Sequence, residues 1–218
     1  MSDYFNFYSI SALSAAVPAV YGLLKWRKLT VALKIIVSFV LMFLFFDILT
    51  YVMGMLKVSN TDVIHTCLFF QITLGGIYFM NLYSEQKHYV KAHFVIIVLT
   101  GILLFFFITR DSESVRLSTS ALTLASASIL IHCGIFLIDL IRNKIDEPLE
   151  NNYNFLIVAS LFFYFSSVFV IFLTYNILDS DQITFDFWKV KLATYIFCNL
   201  IIFYALFKYV KVHVNSRN

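Results

Sequence analysis

The sequence predicts an all-α, polytopic bundle of seven transmembrane helices, N-terminus outside and C-terminus inside, and three observations predict it. Of 218 residues, 61% are hydrophobic, 25 are Phe and only 13% are charged; with a mean hydropathy of +0.84, this is more apolar surface than one soluble core of that size can hide. Charges gather in clumps between apolar runs instead of alternating with them, which is the pattern of membrane spans and not of amphipathic surface helices. Seven runs are each near the roughly 20 residues that cross about 30 Å of hydrocarbon as a helix. Stretches such as "VLTGILLFFFIT" lack the alternation that the strands of a membrane barrel would show.

The first run, Phe5 to Leu24, holds the small residues "SALSAAVPAV". A signal peptide carries positive charge ahead of its apolar stretch, whereas here Asp3 precedes it and "KWRK" follows, so a retained helix is expected, with Pro18 as a packing or kink residue. The second run, Leu33 to Leu56, contains Asp47. The third, Asp62 to Tyr83, is diluted by His65, Gln71 and Asn81 and carries Gly75 and Gly76, read as packing residues. The fourth spans Tyr89 to Thr109. The fifth, Leu117 to Ile141, places Ala121, Ala125, Ser128 and His132 on one face, a small-residue stripe that permits close backbone approach and predicts a central helix. The sixth spans Phe155 to Leu178, and the seventh, Phe185 to Phe207, has Trp188, Lys189 and Lys191 crowded at its start.

Orientation follows from the Lys and Arg residues of the short loops. Connections 1 to 2, 3 to 4, 5 to 6 and the C-terminal tail hold Lys25, Arg27, Lys28, Lys87, Lys91, Arg142, Lys144, Lys208, Lys211 and Arg217; the opposite side holds Lys57, Arg110, Arg116, Lys189 and Lys191. Asp3, Asp62, Asp111, Glu113, Asp179, Asp181 and Asp186 lean the other way. Trp26 and Trp188 fall at helix ends, where amphipathic rings favour the headgroup level. The net charge of +3 is mostly this asymmetry and does not point to nucleic acid.

Residues 1–218 are expected to form a single transmembrane domain. The loop "RNKIDEPLENN" and the tail "KYVKVHVNSRN" are solvated linkers or a docking surface for a cytosolic partner, and any soluble output would come from another protein. Cys67, Cys133 and Cys198 lie inside spans without CxxC spacing and are expected to be small packing residues.

Asp47 is the most informative residue. An ionised carboxylate at the bilayer centre costs roughly 2.5 to 3.5 kcal/mol on insertion scales, so it should face the bundle interior or stay protonated. Asp47, Thr50, Tyr51 and Gly54 are spaced i, i+3, i+4, i+7 and are expected to form one inward stripe. Folding the second and third spans about Ser59 and Asn60 sets Asp47 opposite Gln71; the same depth picks out Ser126, Ser166, Ser167 and Asn199. These groups either join helices by hydrogen bonds worth about 0.6 to 2 kcal/mol each or form a functional polar layer. His132 is either a buried, hydrogen-bonded core residue or a proton carrier. The candidate ligand or proton residues are therefore Asp47, Tyr51, Gln71, Ser126, His132, Ser167 and Asn199, with no catalytic residue, metal ligand or cofactor assigned.

Several specific functions fail on these residues. A retinal protein needs a Schiff-base Lys deep in a helix, but Lys189, Lys191 and Lys208 lie near the ends of the last span. Triple-helix repeats of the sugar-transporter kind would pair Pro or Gly interruptions in the two halves, and Pro18 has no counterpart after the fourth span. A metal-dependent hydrolase needs ligands at one depth, whereas His65, Asp47 and His132 are set at different depths and no HxxxH or HExxH occurs.

The segments "KWRKLT", "DILTY", "VSNTDVIHTCLFFQ" and "VRLSTSALTLASASILI" give the chain a resemblance to small bacterial seven-helix membrane proteins without assigned activity, which often accompany separate signalling proteins. The resemblance implies a sensory or accessory subunit of the bacterial inner membrane, embedded in the lipid bilayer and coupled to a cytosolic or membrane signalling partner. A small transporter or ion pathway through the Asp47 layer is the alternative, and an intramembrane lipid-modifying enzyme comes third.

Overall fold

The computed structural model describes residues 2–111, 119–142, 148–178 and 181–215, with side chains described for 9–109, 119–142, 148–174 and 188–212. Of the loop residues weighed for orientation, Asp3, Arg110, Asp111, Glu113, Arg116, Lys144, Asp179, Asp181, Asp186 and Arg217 have side chains outside these ranges.

Among the described residues the chain is all-helical. Its helices are α1 (Ser2–Leu24), α2 (Val31–Met55), α3 (Thr61–Leu82), α4 (Lys87–Asp111), α5 (Thr119–Arg142), α6 (Tyr153–Leu178) and α7 (Asp181–Asn215). Six of them, α2 to α7, are long and apolar enough among the described residues to cross a membrane, and the part of α1 whose side chains are described, Ser9–Leu24, is apolar as well. This is a multi-pass membrane protein. The expected spans match α1 to α6 within a few residues, but α7 runs from Asp181 to Asn215, well past the Phe185 to Phe207 read from hydropathy. A helix does not end where lipid ends, so its polar extensions are invisible to an apolar-run criterion.

Local chemistry sets the ends. The Thr30 hydroxyl accepts from the Leu33 amide at 3.4 Å and caps α2, and Asn152 Oδ1 accepts from the Phe155 amide at 3.0 Å and caps α6. α2 stops in a Schellman arrangement: the Val58 amide donates to Met53 O at 3.0 Å and the Lys57 amide to Gly54 O at 3.2 Å, with Lys57 at φ 57° in the left-handed region. The tight turn that follows sets α3 back alongside α2.

α1, α2, α3, α5, α6 and α7 pack in a closed ring in that order, and α4 lies outside it against α3 and α5. Close approach of backbones is built from small residues, as membrane packing requires. A Cβ on Gly22 would meet Val37, one on Gly75 would meet Ile129, and one on Gly76 would meet Ile97 and approach His132. Ala121, Ala125, Ser128 and His132 are all buried, and α5 touches α3, α4 and α6, so the small-residue stripe does mark a central helix. The densest core lies towards the end carrying the α1–α2 and α3–α4 connections, with Leu33, Ile36, Tyr78, Phe79, Ile157 and Leu206 among its fully buried side chains. At that end Lys208 donates to Glu150 O at 2.6 Å and to Asn151 Oδ1 at 2.9 Å, tying α7 to the α5–α6 connection.

Candidate functional site

Towards the other end, where α2 turns into α3, the ring encloses a cavity of about 390 Å³, within the range of small-molecule sites. Its lining reaches from Asn60 at the turn down to Gln71 and Ser126 at mid-depth, and α1 contributes Ser11. Its aromatic lining is Phe43, Phe46, Tyr164, Phe165, Phe172, Trp188 and Tyr195, interspersed with aliphatic and polar side chains.

The polar groups converge from facing helices. Asp47 projects from α2, and Tyr195 of α7 donates its hydroxyl to Asp47 Oδ2 at 3.1 Å. The Tyr195 ring is held by Tyr164 at 5.3 Å and Phe43 at 6.1 Å between centroids, so the donor arrives on a packed ring and not on a free rotor. One turn before Tyr195, Lys191 lines the same cavity, and its field acts on the carboxylate. Its Nζ lies 4.3 Å from the centroid of the Trp188 ring, a cation–π contact. Trp188, Lys191 and Tyr195 follow i, i+3, i+7 and share one face of α7. Across from them Gln71 is 4% exposed, and its Nε2 has no hydrogen-bond partner among the described residues. A buried donor left unmet costs about 1 to 3 kcal/mol, which a polar ligand in the cavity would relieve.

The structure separates the residues that depth alone had grouped. Asp47, Gln71 and Ser126 do line one cavity, together with Thr50; the Ser126 hydroxyl is turned back onto Leu122 O at 2.8 Å. Tyr51 is 38% exposed and Gly54 is exposed, so the expected four-residue inward stripe is only half realised: at about 100° per residue Tyr51 turns away from Asp47 on the side opposite Thr50, and Gly54, which shares their direction, lies at the end of α2 beyond the cavity lining. Ser167 donates to Tyr164 O at 2.7 Å and meets Thr194 Oγ1 at 2.8 Å, joining α6 to α7. Asn199 donates to Ser14 Oγ at 3.0 Å, joining α7 to α1. These two hold helices together outside the cavity wall. His65 is buried.

His132 belongs to a different centre. Its Nδ1 lies 2.6 Å from Nδ1 of His93 on α4, and both residues are 0% exposed. Among the described residues no three His, Cys, Asp or Glu side chains form a group that could hold a metal ion. The three cysteines are free thiols: Cys133 and Cys198 are buried in the core, while Cys67 borders the cavity.

Lys191, Tyr195, Tyr164, Trp188 and His93 were missed by sequence reasoning. Lys191 had been placed with Lys189 at the start of the last span; α7 begins ten residues before it, and a rotation of about 200° for two residues leaves Lys189 exposed while Lys191 faces the cavity. The i, i+3, i+7 spacing of Trp188, Lys191 and Tyr195 was the available signal. No known protein family, curated protein or solved structure matches the chain.

Proposed function

We propose that this protein is a sensory or accessory membrane subunit whose cavity binds a small molecule with a charged head and an apolar body, and whose response to occupancy is read by a separate partner. In this reading all seven helices cross the bacterial inner membrane, N-terminus outside and C-terminus inside, which gives the cavity an entry from the outer side. The observation that carries the proposal is a cavity of ligand size holding both an anionic and a cationic side chain, Asp47 and Lys191, within aromatic walls. Beyond its mid-depth floor the cavity is followed only by a void of about 10 Å³ between Phe39 and Ile202, and Ile129 and Ile157 are buried in the core. Such a blind site supports sensing over permeation. Ligand charge would compete with the interaction of Lys191 and Asp47, and the resulting shift of α7 against α2 would reach the inner loops through the tie of Lys208 to the α5–α6 connection.

The chain has two Trp residues, so a Trp26→Phe background leaves Trp188 as the sole reporter inside the site. In nanodiscs, a panel of short-chain carboxylates, alkylammonium ions and zwitterions should include a class that changes Trp188 emission, and Lys191→Met or Asp47→Asn should remove that response. No response from any class would sink the ligand site. Rapid flux of the bound compound through liposomes carrying the protein would replace the sensor by a transporter. A reporter at Asn218 is expected inside and one before Asp3 outside.

A further inference from the structure

A second polar centre lies apart from the cavity, where α3, α4 and α5 pack together. Two imidazoles meet there edge to edge, His93 Nδ1 to His132 Nδ1 at 2.6 Å, both fully buried. At that distance one Nδ1 carries a hydrogen and the other presents its lone pair. The tautomers are therefore opposite. The donor ring has a bare lone pair at its Nε2, and the acceptor ring has its hydrogen there. Neither Nε2 has a hydrogen-bond partner among the described residues, although each is buried. As structural glue this arrangement is poor, since two unmet ring nitrogens cost about 1 to 3 kcal/mol each, and an apolar pair would fill the space without that cost.

The rings around the pair are suited to a positive charge. Phe79 stacks on His93 at 5.6 Å and 27° and on His132 at 5.4 Å and 15°. Tyr83 stacks on His93 at 5.5 Å and 23°. Aromatic faces attract a cation, and a flat imidazolium offers its own face to them. The nearby titratable groups are Tyr78 and Tyr83 from α3, Tyr89 from α4, and Asp139 and Cys133 from α5. Asp139 supplies a carboxylate: it accepts from the Tyr89 hydroxyl at 2.9 Å, and Tyr89 packs on Tyr83 at 4.5 Å. Burial opposes the charge and the ring faces favour it; the Asp139 carboxylate is engaged by Tyr89, which also feels Arg142.

We propose that His93 and His132 form a single proton-binding site, distinct from the ligand cavity, which takes up one proton and excludes a second. The incoming proton goes to the free lone pair on Nε2 of the donor ring. That ring becomes an imidazolium, keeps its Nδ1–H directed at its partner, and shares the charge across the bridge. A second proton would have to displace the bridge at the remaining Nδ1 and set two cations in contact, which like-charge repulsion forbids. The pair therefore titrates as a unit.

The test is nitrogen NMR on the full chain with ¹⁵N-labelled His in nanodiscs, where His93→Gln and His132→Gln assign two of the five His residues. The expected result is a strongly downfield bridging proton with a scalar coupling between the two Nδ1 atoms, and uptake of one proton by the pair as pH falls from about 8 towards 3. Phe79→Leu keeps both imidazoles and is expected to preserve the bridge while lowering the proton affinity several-fold, so the site remains testable even where a His variant fails to fold. Asp47→Asn should leave the bridge signal in place, which separates this site from the cavity. Absence of the inter-ring coupling, independent titration of the two rings, or no uptake across that pH range would overturn the proposal.

Discussion

Between Val31 and Val40 α2 buries five side chains, Leu33, Ile36, Val37, Phe39 and Val40; between Leu41 and Met55 it buries none completely and borders the cavity. The two halves are similarly apolar, and apolar surface does not explain the difference. Lipid tails are as apolar as Leu, so helices in a bilayer gain little from hiding one apolar face against another. What distinguishes the halves is the partner surface. The first half meets Gly22, which lets Val37 approach the α1 backbone. The second half carries Asp47 and meets Lys191, Tyr195 and Gln71, large polar groups that keep the helices apart.

The largest effects should come from testing that contrast with glycines. Gly22→Leu forces a branched side chain into Val37 of the packed half, and overpacking of that kind costs about 1 to 3 kcal/mol and occasionally more. Loss of most folded protein from the membrane is expected. Gly54→Leu, at a position with nothing within 4 Å of its Cβ, should accumulate and melt like the parent. Equal tolerance at the two positions, measured as membrane yield and thermal unfolding in detergent, would erase the distinction between the packed and the open half.

That contrast also explains what could be read from the chain. Runs of apolar residues locate helices because insertion depends on summed hydropathy. The small residues of α5 located a helix packed against three others because their size acts directly on helix separation. Asp47 and Gln71 were legible because a polar group in lipid must face inward. Rotation was not legible where a polar side chain could equally lie at a headgroup boundary: Tyr51 is exposed and Lys191 is in the cavity, although both sit near span ends. His93 was hidden for a different reason. Its significance is its contact with His132, 39 residues away, and no local pattern encodes a contact between helices.

A middle-sized effect should separate the two cavity charges. Lys191→Met removes the cation whose field reaches the Asp47 carboxylate and the contact of Lys191 with the Trp188 ring; a loss of about 0.5 to 2 kcal/mol is expected, the size of one such cation–π contact. Asp47→Asn keeps an oxygen that accepts from Tyr195 and should stay within about 1 kcal/mol of the parent, as expected for a loss confined to one net hydrogen-bond difference. The double variant should be more stable than Lys191→Met alone, a coupling of about 0.5 to 3 kcal/mol in a double-mutant cycle. Additive effects in that cycle would mean that the two charges act separately.

The smallest effects concern the polar groups that the structure places outside the cavity wall. Ser167→Ala removes the hydroxyl that meets Thr194 and joins α6 to α7. Asn199→Leu removes the amide that donates to Ser14. Hydrogen bonds between membrane helices average about 0.6 kcal/mol and reach about 1.7, so each variant should lower the unfolding temperature modestly and leave the Trp188 response to ligand intact. The two are not equivalent, however. Ser14 passes its own hydrogen to Ser11 O at 2.6 Å, and Ser11 lines the cavity on α1, whereas the Ser167–Thr194 bridge reaches the wall through the backbone carbonyls of Tyr164 and Lys191 on α6 and α7. If Asn199→Leu alone shifts the ligand response while Ser167→Ala does not, the packed half and the cavity are coupled through Ser14, and α1 belongs to the responding part of the bundle. If both leave the response unchanged, these bonds only hold helices together, and sensitivity to ligand resides in the α2 and α7 charges alone.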